Sequence, residues 1–154
     1  TGTKRRFEQI GEVRGISVYD DYAHHPAEIE ATLRAARLWY PKKRIIAVFQ
    51  PHTYSRTKAL FTEFARAFRF ADMVIITDIY ASARESRDKT VRGSALAACT
   101  KEYNASVLYA KKYHEVQDIL ITKAVSGDCI ICMGAGDIYT WGKQILNALE
   151  KNKV

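Results

Sequence analysis

The sequence predicts an α/β domain built on an open, mainly parallel sheet of about six strands, with helices on both faces. Three observations carry that expectation. Short apolar runs alternate with longer stretches whose apolar residues recur at helical spacing. The runs at 45–49 and 73–76 are apolar throughout, the pattern of strands buried on both faces of a parallel sheet. Only the two opening runs are separated by a two-residue turn, so only they can form an antiparallel hairpin.

That hairpin pairs residues 7–13 with 16–22 around Arg14-Gly15. Pro26 suits the first turn of a helix, where its missing N–H is no loss. Ile29, Leu33, Ala36 and Tyr40 continue that helix, Glu28 and Glu30 favour its positive end, and Pro41 closes it. After the strand at 45–49, one helix beginning near Ser55 or Thr57 carries Leu60, Phe61, Phe64, Ala65 and Phe68 as its stripe. Residues 73–76 form the next strand and 84–89 a charged loop. A short helix at 94–103, a strand at 106–109 and a helix bearing Val116, Ile119, Leu120 and Ala124 follow. The last strand, at 129–133, ends in Gly134-Ala135-Gly136-Asp137, and Ile138, Trp141, Ile145, Leu146 and Leu149 make the final stripe. Such alternation is Rossmann-like, and right-handed crossovers gather the strand-to-helix turns on one sheet edge.

The 154 residues fit one domain of ordinary globular composition, 47% hydrophobic and 27% charged. No apolar run spans a bilayer, and the start lacks the apolar core of a signal peptide. It also lacks an initiator Met, as expected of an excised fragment or processed product. Three cysteines imply no disulfide framework. Cys129 and Cys132 have redox spacing but lie in a buried strand, so they read as structural in a reducing cytoplasm. A net charge of +7 attracts polyanions. Its Lys and Arg are scattered without an aromatic-interleaved stripe, which favours a polyanionic small ligand over nucleic acid.

Two polar turns hold most of the chemistry. The first is Asp20-Asp21-Tyr22-Ala23-His24-His25-Pro26, the second Gln50-Pro51-His52-Thr53-Tyr54-Ser55-Arg56-Thr57. Each follows a strand and precedes a helix, so both belong to the carboxyl edge where open sheets bind ligands. Three histidines, a carboxylate pair and an arginine are thereby expected at one crevice. Asp20 and Asp21 point in opposite directions. One can serve the fold while the other serves a ligand, and Asp21 is the functional choice. Arg56 opposes the helix dipole in a first turn, a local misfit expected where a guanidinium grips a carboxylate. His114 lacks polar company and reads as structural. No metal site is expected, and the glycine turn after the last strand explains itself equally by phosphate binding or by tight packing. The chain contains no P-loop.

Arg5-Arg6-Phe7-Glu8, the two polar turns with Phe49, and Gly134-Ala135-Gly136-Asp137-Ile138 together resemble the C-terminal domain of the Mur ligases of bacterial peptidoglycan synthesis. The glutamine-proline-histidine element ending in Arg-Thr is similar to the branch that joins L-alanine to UDP-N-acetylmuramate. The resemblance covers essentially the whole chain. It implies a cytoplasmic bacterial enzyme of three domains, of which residues 1–154 are the third. The absent ones bind the UDP-sugar and, through a central ATPase, ATP with Mg2+. ATP then activates the muramoyl carboxylate as an acyl phosphate, which the alanine amine attacks.

Carried onto this sequence, the resemblance implies that Arg6 reaches ATP phosphate and Asp21 the nucleotide ribose. It places Tyr22, His24, His52 and Arg56 in the amino-acid pocket. Thr53 stands where many members carry arginine, leaving the carboxylate grip to Arg56 and His52. No catalytic residue, metal ligand or cofactor requirement is expected of this domain alone, and it should not turn over by itself. Two rival readings of the same pattern are a phosphoacceptor receiver using Asp78 and Lys111, and a dinucleotide-binding module. The first is crowded by histidines at its acidic loop. The second lacks the glycine fingerprint on its first strand unit.

Overall fold

The computed structural model describes residues 5–152; the reading made on residues 1–4 lies outside them. Strands β1 (Glu8–Val13) and β2 (Ile16–Asp21) pair antiparallel, Val13 opposite Ile16. Arg14 and Gly15 both take positive φ, 50° and 77°, as the favoured two-residue hairpin turn requires. The chain continues through α1 (Pro26–Trp39), β3 (Arg44–Phe49), α2 (Tyr54–Ala59), α3 (Phe61–Arg66) and β4 (Met73–Ile76). Then come α4 (Gly93–Thr100), β5 (Val107–Tyr109), α5 (Tyr113–Lys123) and β6 (Asp128–Met133). A 3₁₀ turn (Asp137–Thr140) leads into α6 (Trp141–Lys151).

The sheet order is β1-β2-β6-β3-β4-β5, with every pair parallel except the first. β6, last in sequence, thus lies at the centre. Alternation along each strand separates two apolar layers. Ile45, Ala47 and Phe49 face α1, α3 and α4, meeting Ile29, Leu33, Phe64, Phe68 and Leu96. Ile46 and Val48 face α5 and α6, meeting Val116, Leu120, Trp141, Ile145 and Leu149.

The same alternation settles the cysteines. Cys129 belongs to the first layer and Cys132 to the second, so the sheet itself separates them. Both are buried, and burial pushes the Cys129 thiol up to about 11 and raises that of Cys132 as well. Neither has the lowered pKa of a redox nucleophile.

One expectation is corrected. The single helix expected after β3 is broken at Leu60, whose φ of −114° and ψ of 27° separate α2 from α3. Helix α2 buries only Thr57, whereas α3 buries Phe64 and Ala65. The bend lets the aromatic half approach the sheet, where Phe64 and Phe68 each lie 5.5 Å from the Phe49 ring. His114 is exposed on α5, so its structural reading is also replaced by a surface one.

Candidate active site

The ends of β2, β6 and β3 are level. Asp21 pairs with Met133, and Met133 with Phe49. Backbone bonds stitch the turns that follow: Gly134 N–H donates to the Asp21 carbonyl at 3.2 Å, and Gln50 N–H to the Met133 carbonyl at 3.1 Å. Three turns therefore form one continuous rim.

In the first turn both carboxylates are held by the protein. Asp20, 3% exposed, accepts from Arg5 Nε at 2.7 Å and from a terminal nitrogen at 3.3 Å. That guanidinium also donates to the Gly134 carbonyl at 2.8 Å and lies 5.2 Å above the Tyr22 ring. Asp21 accepts from the backbone N–H of Phe7 at 2.7 Å and of Ala23 at 2.8 Å. Burial raises its pKa, although those N–H bonds pull the other way. His25 is consumed by α1: its Nδ1 accepts from Ala27 N–H at 3.2 Å, and Glu28 returns a bond to the His25 N–H at 3.1 Å. This is a capping box built with imidazole. The expectation of three histidines at one crevice is therefore corrected to two.

His24 has the opposite character. Its Nδ1 lies 2.9 Å from the Tyr22 carbonyl; a carbonyl only accepts, so that nitrogen is the donor. The His24 ring meets the Tyr22 ring edge-on at 4.8 Å, and Tyr22 is 44% exposed.

The second turn contains a strained residue. Thr53 has φ 66° and ψ 148°, a region that β-branched residues avoid. There its hydroxyl accepts from Arg56 N–H at 3.1 Å, and its carbonyl from the Thr57 hydroxyl at 2.7 Å. Thr53 thus caps α2. Arg56, half-buried, donates to the His52 carbonyl at 2.9 Å. Burial lowers the His52 pKa, and the positive charges of Arg56 and His24 lower it further. His52 is accordingly a neutral imidazole at neutral pH.

Glycines in the third turn serve packing. A Cβ on Gly136 would stand 2.6 Å from Gln50 Oε1 and 2.7 Å from the Tyr80 ring. Gln50 bridges the turn, donating to Asp137 at 2.8 Å and accepting from Ile138 N–H at 3.2 Å. The close approach, rather than a phosphate cradle, accounts for the small residue.

The six residues singled out by sequence fall into two adjoining sets. Tyr22, His24, His52 and Arg56 form a row across the first two turns, each touching or electrostatically facing the next. Arg6 and Asp21 line a groove of about 320 Å³ between the segment leading into β1 and helix α1, with Tyr22 at its edge. Among the described residues, no three of His, Cys, Asp and Glu stand close enough to hold a metal ion. Sequence reasoning overlooked Tyr80 and Glu85, both in the β4–α4 connection. Tyr80 pairs in a bridge with His52, their rings 5.8 Å apart. Glu85 accepts from Tyr54 N–H at 2.8 Å. Tyr80 could have been found as the aromatic four residues after a parallel strand; nothing in the sequence marked Glu85.

The model of the family described as Mur ligase, glutamate ligase domain, matches residues 5–136. This chain belongs to the Mur ligase family. It is 51% identical over 152 residues to the UDP-N-acetylmuramate–L-alanine ligase of Caldanaerobacter subterraneus subsp. tengcongensis. That match covers 99% of this chain and 32% of the relative, so the chain spans about a third of the relative's length. Among solved structures, the UDP-N-acetylmuramate-alanine ligase of Thermotoga maritima superposes with a TM-score of 0.78 at 26% identity, covering 97% of this chain and 30% of that one. A domain attributed to a Haemophilus ducreyi ligase acting on UDP-N-acetylmuramate and an alanyl-glutamyl-diaminopimelate peptide superposes at 0.70 with 28% identity. There the match covers 94% of this chain and 99% of the other, a domain of this size crystallised by itself. Family membership displaces the receiver and dinucleotide-binding readings.

Proposed function

We propose that residues 1–154 are the C-terminal, amino-acid-binding domain of an ATP-dependent ligase that joins L-alanine to UDP-N-acetylmuramate in the bacterial cytoplasm. The observation that carries this reading is the placement of the Arg56 guanidinium beside the His52 and His24 imidazoles along one rim. L-Alanine is a zwitterion: Arg56 matches its carboxylate, while the neutral His52 can accept N–H from its amine. Tyr22, edge-on to the His24 ring, borders one end of the row.

In this reading the UDP-sugar and the central ATPase domains lie elsewhere in the polypeptide. There ATP would pass its γ-phosphate to the muramoyl carboxylate, giving an acyl phosphate and ADP, and Mg2+ would supply charge neutralisation. The amine attacks the acyl carbon, inorganic phosphate leaves, and the amine proton passes to solvent. Arg6 and Asp21 belong to the nucleotide side, at the groove beside Tyr22. Support is uneven between them. Arg6 is exposed and free to reach a phosphate, whereas Asp21 already accepts two backbone bonds and offers only its remaining lone pairs.

The test is phosphate release from ATP. The intact ligase should release phosphate only when both UDP-N-acetylmuramate and L-alanine are present, and residues 1–154 alone should release none. Turnover by the isolated chain, or an intact enzyme indifferent to L-alanine, would overturn the proposal.

A further inference from the structure

The β4–α4 connection is fastened to the second turn at four points, and the arrangement serves a residue with no role so far. Thr53 N–H donates to the Tyr80 carbonyl at 3.3 Å, Tyr80 N–H to the Pro51 carbonyl at 2.8 Å, and the His52 and Tyr80 rings lie against each other. The fourth fastening is the Glu85 carboxylate. One oxygen accepts from Tyr54 N–H at 2.8 Å and from Ser82 N–H at 3.3 Å, the other from Ser55 N–H at 3.3 Å. Tyr54 and Ser55 are the first two residues of α2, and the Thr53 hydroxyl takes the third amide, that of Arg56.

These contacts leave α2 with no donor free at its positive end. A six-residue helix has little stability of its own, and its first residue follows a threonine at φ 66°. Something outside the helix must hold that turn in shape, and Glu85 bonds both amides that Thr53 does not. The bonds to the charged carboxylate also hold its pKa low against burial.

We propose that Glu85 is a positioning residue for the amino-acid pocket. It clamps the start of α2 from a different loop and thereby fixes where Arg56 and His52 stand. It also supplies the pocket's negative counterweight, since its charge opposes the effect of Arg56 and His24 on His52. The proposal builds on the assignment of Arg56 and His52 to the alanine pocket, but its structural half can be read without any substrate.

The test uses Glu85→Ala and Glu85→Gln, the second keeping one acceptor oxygen without the charge. In the 154-residue chain, amide hydrogen exchange at Tyr54, Ser55 and Arg56 should quicken about tenfold in Glu85→Ala, the loss expected for a charge-assisted bond, while β6 amides stay protected. The His52 titration should move further down. In the intact ligase, the KM for L-alanine should rise about tenfold in Glu85→Ala and less in Glu85→Gln, with the KM for ATP unchanged. Unchanged exchange at all three amides would overturn the clamp. Equal rises in both KM values would reduce it to a general stability effect, which the milder Glu85→Gln would show as well. Faster exchange without any dependence on L-alanine in the wild-type ligase would keep the clamp and sink the alanine reading instead.

Discussion

The two turns that border the pocket are built on opposite plans. In the first, three polar side chains are taken up by the protein, Asp20 by Arg5, Asp21 by two backbone amides and His25 by the start of α1, and only Tyr22 and His24 are left to the row. In the second, the backbone is strained at Thr53, and Arg56 spends one terminal nitrogen on the His52 carbonyl. The first turn is a joint that fixes the rim; the second is the part that grips. Polar residue types alone do not distinguish the two, and only the partners of each atom do.

The largest effect that could break this contrast is on stability. Arg5→Ala would leave Asp20 charged, buried and unpaired, which costs about 3 kcal/mol. Urea unfolding of the chain should show that loss, and Arg5→Ala combined with Asp20→Asn should recover part of it. A change of under about 0.5 kcal/mol would mean the first turn is not a structural joint. Next in size, Arg56→Ala should leave stability nearly intact while weakening L-alanine by roughly 1.5–3 kcal/mol, read as a higher KM in the intact ligase. An unchanged KM would remove Arg56 from the carboxylate.

Smaller effects sharpen the second turn. Thr53→Gly relieves the positive φ and gives up a cap that glycine replaces at little loss, so the chain should gain about 1 kcal/mol in urea. The looser turn should nevertheless bind L-alanine less well. The smallest effect is on pH dependence. His52 has a folded pKa below its ordinary 6.5, so the unfolded chain binds that proton more readily. Stability should therefore rise with pH in the window below 6.5 and level off above it. His52→Gln should remove that slope, measurable by thermal melts across the range.

Much of this was legible in the sequence because periodicity reports burial. The doubly apolar strands, the Arg14-Gly15 hairpin and the start of α1 at Pro26 each follow from a local rule, and all stand where expected. The row from Tyr22 to Arg56 was legible for a topological reason, since turns after parallel strands share an edge. What escaped was set by tertiary partners. The break at Leu60 depends on where the sheet lies beneath two half-helices. The capture of His25 by α1 depends on a ring nitrogen standing in for the usual hydroxyl or carboxylate. Glu85 lies thirty residues from the amides it bonds, in a charged loop without periodicity. Arg5 and Arg6 are adjacent and chemically identical, so only coordinates could give the ion pair to one and the open groove to the other.

The central position of β6 has a consequence for how the protein is made. A ribosome delivers the hairpin and the β3–β5 half long before Asp128–Met133 emerges, and neither half can hydrogen-bond the other without it. In the strand order, β6 alone joins the hairpin to β3–β5, so the relation between His24 and Arg56 runs through it. The pocket is assembled by the closing of a gap, when β6 takes its place between β2 and β3.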